Sequence, residues 1–341
     1  MQWESDHNLR ARMLVSLALV AVMPLAFVAT MTLAANSIIL PLAATLFETQ
    51  PTQIHVPLLP VFALTLVGMA ACYVAGDDVA LRSVGATRVN EATEPDLHAR
   101  LGRLAASAGL PRPDVAIIDS RAPNAFATGR SPETATIAVT RGLLTTLDGD
   151  QLDAVLAHEL AHVRNRDATV MTIAYLLPTF TYYIATIAYV VLTAIWRGMA
   201  SVRTHGRDAR AVAAVVILFV VTTIVTITVS AVFWAASFLL FRVLSRYREY
   251  AADRGSAAIT GEPLALATAL ERINDDLRAR PDRDLRDLDG GVEALYVSPL
   301  NLPMFEDDDP ALLSQDLFPE SHPPTSERIR RLQELHATFE Q

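Results

Sequence analysis

Long stretches without charge constrain this chain more than any other feature. Met13 to Phe47 holds no charged side chain, and neither do Val56 to Ala75, Ala168 to Trp196 or Ala211 to Phe241. A helix needs roughly 20 apolar residues to cross a bilayer, and buried helices of water-soluble proteins rarely stay uncharged for that length. The pattern predicts about four transmembrane helices, the first two near residues 13–35 and 56–75. Composition agrees: 52% of the 341 residues are hydrophobic and mean hydropathy is +0.30, above the usual apolar share of a soluble domain. Arg10 and Arg12 precede the first run as they would precede a signal peptide, but the run is far longer than a signal's apolar region and reads as an anchor.

The flanking charges suggest an orientation. Arg10 and Arg12 stand before the first span, while the loop from Glu48 to His55 has no Lys or Arg, which puts the N-terminus in the cytoplasm. The second span then returns the chain to the cytoplasm, ahead of Arg82 and Arg88. One loop disagrees: Arg197, Arg203, Arg207 and Arg210 lie between the third and fourth runs, where parity puts the chain outside. Either the charge rule is overridden there or that hairpin enters the membrane without crossing it. The expected organisation is a membrane region at 1–76, half of a soluble domain at 77–167, a membrane hairpin at 168–241 and the other half at 242–341. A hairpin returns the chain to the side it left, so both halves can build one cytoplasmic domain of a multi-pass cell-membrane protein.

The chain has 28 basic and 37 acidic residues, net charge −9, and no lysine. That balance argues against a nucleic-acid partner, whose backbone needs clustered positive charge. Cys72 is the only cysteine, so no intrachain disulfide forms and any metal must be held by His, Asp or Glu.

Within the first soluble piece, Leu97, Leu101, Leu104 and Ala105 recur at helical spacing over Asp96–Ala108, with Pro111 and Pro113 beyond. Asp114–Asp119 reads as a short buried strand, Asn124–Thr128 as another, and Ala135–Thr140 as strand-like with loose alternation. Asp148 and Gln151 form a capping-box pattern opening a helix. In the second piece, Pro263–Arg278 and Ser326–Thr338 look helical, and the acidic, proline-bearing stretches Pro281–Asp289 and Glu306–Pro310 read as loops.

The helix opened by Asp148 carries His158-Glu159-Leu160-Ala161-His162. Histidines four apart project from one helix face, one turn apart, and can bind a single tetrahedral Zn²⁺. Glu159 is then placed to take a proton from a water activated by the metal. The same five residues can arise on any polar helix face, but here the flanks are apolar, and buried His and Glu without a partner are costly. A catalytic zinc takes three protein ligands. The segment after the fourth run, Ser245-Arg-Tyr-Arg-Glu-Tyr-Ala-Ala-Asp253, offers Glu249 and Asp253 on one helix face. By spacing, either could bind while the other orients a ligand histidine, or both could belong to an exposed charge pattern with Arg246 and Arg248.

Several strings together resemble the HtpX-type membrane metallopeptidases, relatives of the CaaX prenyl-proteases and mitochondrial inner-membrane stress metalloproteases. They are Asn124-Ala-Phe-Ala-Thr-Gly129, Val139-Thr-Arg-Gly-Leu-Leu144, His158 to His162 with Asn165-Arg-Asp167, Ser245 to Asp253, and His322-Pro323 with Arg328-Ile329. The resemblance covers about residues 77–335, including a membrane hairpin between the motif halves. It implies a mixed fold, membrane α-helices joined to an α/β zincin-like metallopeptidase domain. It implies Glu249 as third ligand to one catalytic Zn²⁺ and Asp253 behind the ligands. It also implies that Asn124, Ala125, Phe126, Ala127 and Thr128 form an edge strand that pairs with substrate backbone. His322 would stabilise the oxyanion and Arg328 would brace the site; the plainer alternatives are a loop histidine before Pro323 and a salt-bridged helix start. The activity implied is zinc endoproteolysis of membrane or unfolded proteins beside the lipid bilayer, as in quality control. Two alternatives are a processing protease for lipidated or membrane-anchored proteins and a scaffold with structural zinc. The intact Glu159 counts against the scaffold.

Overall fold

The computed structural model describes residues 7–47, 55–168, 170–171, 185–190, 193, 208–278 and 323–339. The chain divides into two compact units: Leu17–Ala71 with Ile173–Leu240, and Met1–Ser16 with Cys72–Thr172 and Phe241–Gln341.

In the apolar unit, helix α1 (His7–Ala34) passes through one π turn (Ala35–Ile39) into α2 (Leu40–Leu46). The π turn sits just ahead of Pro41, which has no N–H to give to the preceding turn. Asn36, within that turn, accepts a hydrogen bond from the Val56 N–H at 2.9 Å and donates to the Val56 carbonyl at 3.1 Å. It thereby holds the chain that enters α3 (Leu58–Ser83). Among the described residues two helical segments are long and apolar enough to cross a membrane, Val22–Leu46 and Arg210–Thr260. Only 11% of each of their most apolar windows is buried, whereas the core helix of a soluble protein is mostly buried. Leu33, Leu59, Leu64, Val67, Val232 and Leu239 are all exposed, as apolar side chains solvated by lipid would be. The second expected span is represented by a shorter apolar stretch, Leu58–Ala71, and the third lies mostly outside the described residues.

Neither the helix of the second apolar run nor that of the fourth stops where the charge-free stretch does. Helix α3 carries on through Asp77 and Asp78 to Ser83, and α7 (Asp208–Thr260) is unbroken across residues 241–242. Charge ends an apolar run, but it does not end a helix, and neither helix carries a proline beyond its first turn.

The second unit is built on a four-stranded sheet in the order β1-β2-β4-β3. Its strands are β1 (Thr87–Val89), β2 (Asp114–Ile118), β3 (Ala125–Thr128) and β4 (Thr136–Thr140). Strands β2 and β4 run parallel, with Val115 opposite Ile137, while β1 and β3 pair antiparallel to β2 and β4 respectively. The loose alternation of β4 has a physical origin: all five of its residues are buried, so both faces are packed. Ile137 and Val139 join the main core, whereas Ala138 faces Leu81 of α3 together with Ala116, Ile118 and Phe126.

Helix α4 (Pro95–Ala108) buries Leu97, Leu101, Leu104 and Ala105 and ends at Gly109, whose φ of 67° closes the C-cap. A six-residue helix, α5 (Arg141–Thr146), follows β4, capped by the Thr140 hydroxyl accepting from the Leu143 N–H. Helix α6 (Gly149–Asn165) opens with the expected capping box between Asp148 and Gln151 and ends at Arg166, left-handed at φ 57°. Helices α8 (Pro263–Arg278) and α9 (Thr325–Phe339) complete the core through Leu266, Ala269 and Leu332. The acidic stretches Pro281–Asp289 and Glu306–Pro310 lie outside the described residues.

Candidate metal centre

Helix α6 presents His158 and His162 one turn apart, with Leu156 and Leu160 wholly buried on its other faces. The two imidazoles converge, Nε2 to Nε2 at 3.0 Å. Helix α7 brings in Glu249, completely buried, with its carboxylate oxygens 3.5 Å from each of those nitrogens. Ligands about 2.05 Å from a tetrahedral ion stand roughly 3.3 Å from one another, so three atoms at these separations suit one such ion. All three potential ligand atoms lie within 4.8 Å of one another. Asp253, the other carboxylate of the i,i+4 pair, instead meets the far side of His158, its Oδ1 3.1 Å from Nδ1. Of the two carboxylates that equal spacing leaves open, Glu249 reaches the nitrogens that converge, and Asp253 reaches behind.

Each histidine has a carboxylate near its Nδ1, and for His162 the two are hydrogen-bonded. His162 Nδ1 lies 2.6 Å from Asp167 Oδ2. An Nδ1–H donated to a carboxylate fixes the tautomer that leaves Nε2 free of a proton and ready to bind metal. Asp167 closes the string Asn165-Arg-Asp167, whose spacing by itself gives it no role. The left-handed Arg166 after the end of α6 turns the backbone so that Asp167 returns toward the helix it has just left.

Two arginines close the cluster. Arg328 of α9 grips Asp253 with two hydrogen bonds, Nε to Oδ2 at 3.0 Å and Nη2 to Oδ1 at 2.6 Å. Its Nη1 is 3.4 Å from Glu249 Oε2. Arg248 donates to Glu249 Oε1 at 3.4 Å and lies near Asp167. Arg248 also went unassigned at the level of sequence, where it read only as part of a charged helix face. Glu159 is buried and contributes to the field that holds Arg328 protonated.

The electrostatics favour a cation between the imidazoles. Glu159, Asp167, Glu249 and Asp253 stand with Arg248 and Arg328 around the two histidines, all of them buried, so the described surroundings hold more carboxylates than guanidiniums. Burial alone would push the His158 pKa down, but hydrogen bonds to Asp253 and Glu249 outweigh it and lift the pKa to about 9. Carboxylates gathered around two imidazoles suit a divalent ion, whose charge they would balance. The donor set, two imidazoles and one carboxylate, therefore fits the metal that the sequence implies.

Strand β3 is the terminal strand of the sheet beside α6, with Ala125 and Ala127 facing the α6 side and Phe126 the α3 side. Asn124 is held at its start: the Thr140 hydroxyl accepts from the Asn124 N–H at 2.9 Å and donates to its carbonyl at 3.1 Å. His322 lies outside the described residues.

Paired histidines on one helix, a glutamate between them and a third potential ligand from a distant helix define the HExxH class of metallopeptidase. Residues 91–336 match peptidase family M48. The chain is 37% identical to Protease HtpX homolog 2 of Methanosarcina acetivorans over 98% of its own length and 97% of that protein. It is also 37% identical to the Protease HtpX homolog of Moorella thermoacetica, over 87% of each chain. The crystal structure of S. mikatae Ste24p aligns more loosely, with a TM-score of 0.47 and 19% identity over 94% of this chain and 67% of that one. This chain belongs to peptidase family M48, and is a metallopeptidase of the HtpX-like group.

Proposed function

We propose that the protein is a membrane-embedded, zinc-dependent endopeptidase that cleaves membrane or unfolded polypeptides at the cytoplasmic face, in protein quality control. The observation that carries this reading is the buried convergence of His158, His162 and Glu249, with Glu159 on the same helix as both histidines. Bound zinc would supply Lewis-acid activation of water and of the scissile carbonyl. His158, His162 and Glu249 would hold it, and Asp253 and Asp167 would keep both imidazoles in the ligating tautomer. Glu159 would accept a proton from the attacking water and pass it to the departing amine. Arg328 would oppose the negative charge that develops during attack, with His322 as the expected oxyanion donor. Substrate would run extended along Asn124–Thr128, whose position at the end of the sheet supports that role. The membrane setting is supported by Val22–Leu46 and by α7, whose helix continues from its apolar run without a break into the turn bearing Glu249. That continuity favours substrates in or near the bilayer, in a multi-pass arrangement with residues 77–167 and 242–341 forming one split catalytic domain.

Glu159→Gln tests the mechanism, because it keeps the shape and removes the base. In detergent, the variant should retain one zinc per chain and lose at least 100-fold in cleavage of an unfolded protein, the scale of a general base. Cleavage at the wild-type rate would refute the mechanism. Wild-type cleavage that resists chelators would refute the metal.

A further inference from the structure

The C-terminal end of α3 is fastened to the end of strand β3 by one acidic side chain that the metal centre does not use. Asp77 Oδ1 accepts hydrogen bonds from the Thr128 hydroxyl and from the Gly129 N–H, both at 3.1 Å. Its Oδ2 pairs with Arg130 Nε at 3.3 Å. One turn further along α3, Leu81 packs with Phe126. The match is one of periodicities. Asp77 and Leu81 share a face of the helix because they are four apart, and Phe126 and Thr128 share a face of the strand because they are two apart. The opposite face of the strand, Ala125 and Ala127, belongs to the core that contains α6. Strand β3 is therefore held between α3 and the helix that carries both histidines.

The chain beyond β3 leaves little slack. Gly129 has a φ of 127°, and a Cβ placed there would stand 2.6 Å from the Ala135 Cα. The strand end thus turns tightly, and the carboxylate of Asp77 takes up the donors at that turn. Asp77 is only 25% exposed and Thr128 is buried, so these bonds are partly shielded from water. None of these partners is a candidate metal ligand.

We propose that Asp77 is a positioning residue for substrate: it sets the place and register of strand β3 against α6, so that backbone pairing presents the scissile bond to the metal. The proposal rests on the reading of β3 as the substrate strand. It gives α3 a task beyond anchoring, as the strut whose last turns locate the binding edge. Loss of the latch should weaken substrate binding and leave the chemistry and the metal intact.

The test uses the full-length protein in detergent with reduced, carboxymethylated α-lactalbumin as substrate. Asp77→Ala should raise KM roughly tenfold, the scale of one lost charged hydrogen bond, with kcat within about twofold and one zinc per chain. Asp77→Asn keeps an acceptor for Thr128 and Gly129 and should recover most of that loss. An unchanged KM in Asp77→Ala, or an Asn variant no better than Ala, would overturn the proposal. Should Asp77→Ala fail to accumulate folded, Thr128→Val removes one bond of the latch, and an unaltered KM there overturns it equally. Hydrogen exchange separates this failure from failure of the functional reading. Should wild type show no chelator-sensitive, Glu159-dependent cleavage, the function is wrong; faster exchange of residues 126–129 in Asp77→Ala would still support the latch, and unchanged exchange would overturn it.

Discussion

At the scale of single residues, the site depends on carboxylates that differ in what else they touch. Asp167 and Asp253 each serve one imidazole, but Asp253 also carries the bidentate grip of Arg328. Removing Asp253 takes two short hydrogen bonds from the buried Arg328 and leaves it the 3.4 Å contact with Glu249, whereas removing Asp167 takes from Arg248 an approach of 4.0 Å and leaves its contact with Glu249. Asp167→Ala should therefore cost chiefly metal affinity, about 10–100-fold by competition with a fluorescent chelator, with little loss of folded protein. Asp253→Ala should lose affinity and about 3–5 kcal/mol of stability as well, read as a much larger fall in Tm. Equal falls in Tm would contradict this division. The histidines, Glu159 and a carboxylate from the later helix were legible in the sequence because their spacing on a helix is itself the signal. Spacing could not choose between Glu249 and Asp253, which share a helix face; which of them reaches the converging nitrogens depends on how far along α6 the two histidines stand. Asp167 escaped because its role depends on a left-handed residue, Arg166, where no glycine announces the turn.

At the scale of elements, glycines that look alike in sequence have opposite consequences. Gly142 lies in α5, where a Cβ would stand 2.1 Å from the Arg121 carbonyl oxygen and 2.4 Å from its carbon, both backbone atoms. The Gly142 N–H also donates to the Ser120 carbonyl at 2.8 Å, so the two segments cannot separate without losing a bond. Gly142→Ala should destabilise by about 1–3 kcal/mol or more through overpacking, lowering Tm by several degrees. Gly102, inside α4, meets only the Arg112 Cδ, at 3.7 Å, an ordinary contact. Gly102→Ala should raise Tm, since alanine favours a helix over glycine by up to about 1 kcal/mol. A pair of scanning-calorimetry traces decides both, and Tm shifts of the same sign would refute the argument. Helices α4 and α6 and strands β2 to β4 were readable because their apolar spacing or caps are local. Strand β1, three residues with two exposed, and α5, six residues, were not, because neither is long enough to display a period.

At the scale of the whole chain, apolar length was legible and the ends of helices were not, because a helix runs on past the last uncharged residue. Helices α3 and α7 each carry an apolar run directly into the soluble unit, and α7 delivers Glu249 to histidines more than 80 positions earlier in the sequence. Metal bound by His158, His162 and Glu249 would thus tie the segment 72–172 to the segment beginning at Phe241, within one unit. A ligand bound only by the folded state stabilises it by about 4 kcal/mol when present at a thousand times its Kd. For a unit of this size each kcal/mol moves Tm by roughly 2–4 °C. Chelation in detergent should accordingly lower the Tm of the catalytic unit by on the order of 10 °C, and added zinc should restore it. Glu249→Ala breaks the tie from the α7 side, so its Tm should already be low and respond little to chelator or zinc. Glu159→Gln leaves the three ligands in place and should keep the full response. A wild-type Tm indifferent to chelator would mean that the two segments are held by the Asp253–Arg328 grip and the apolar core alone, with the metal serving chemistry and not architecture.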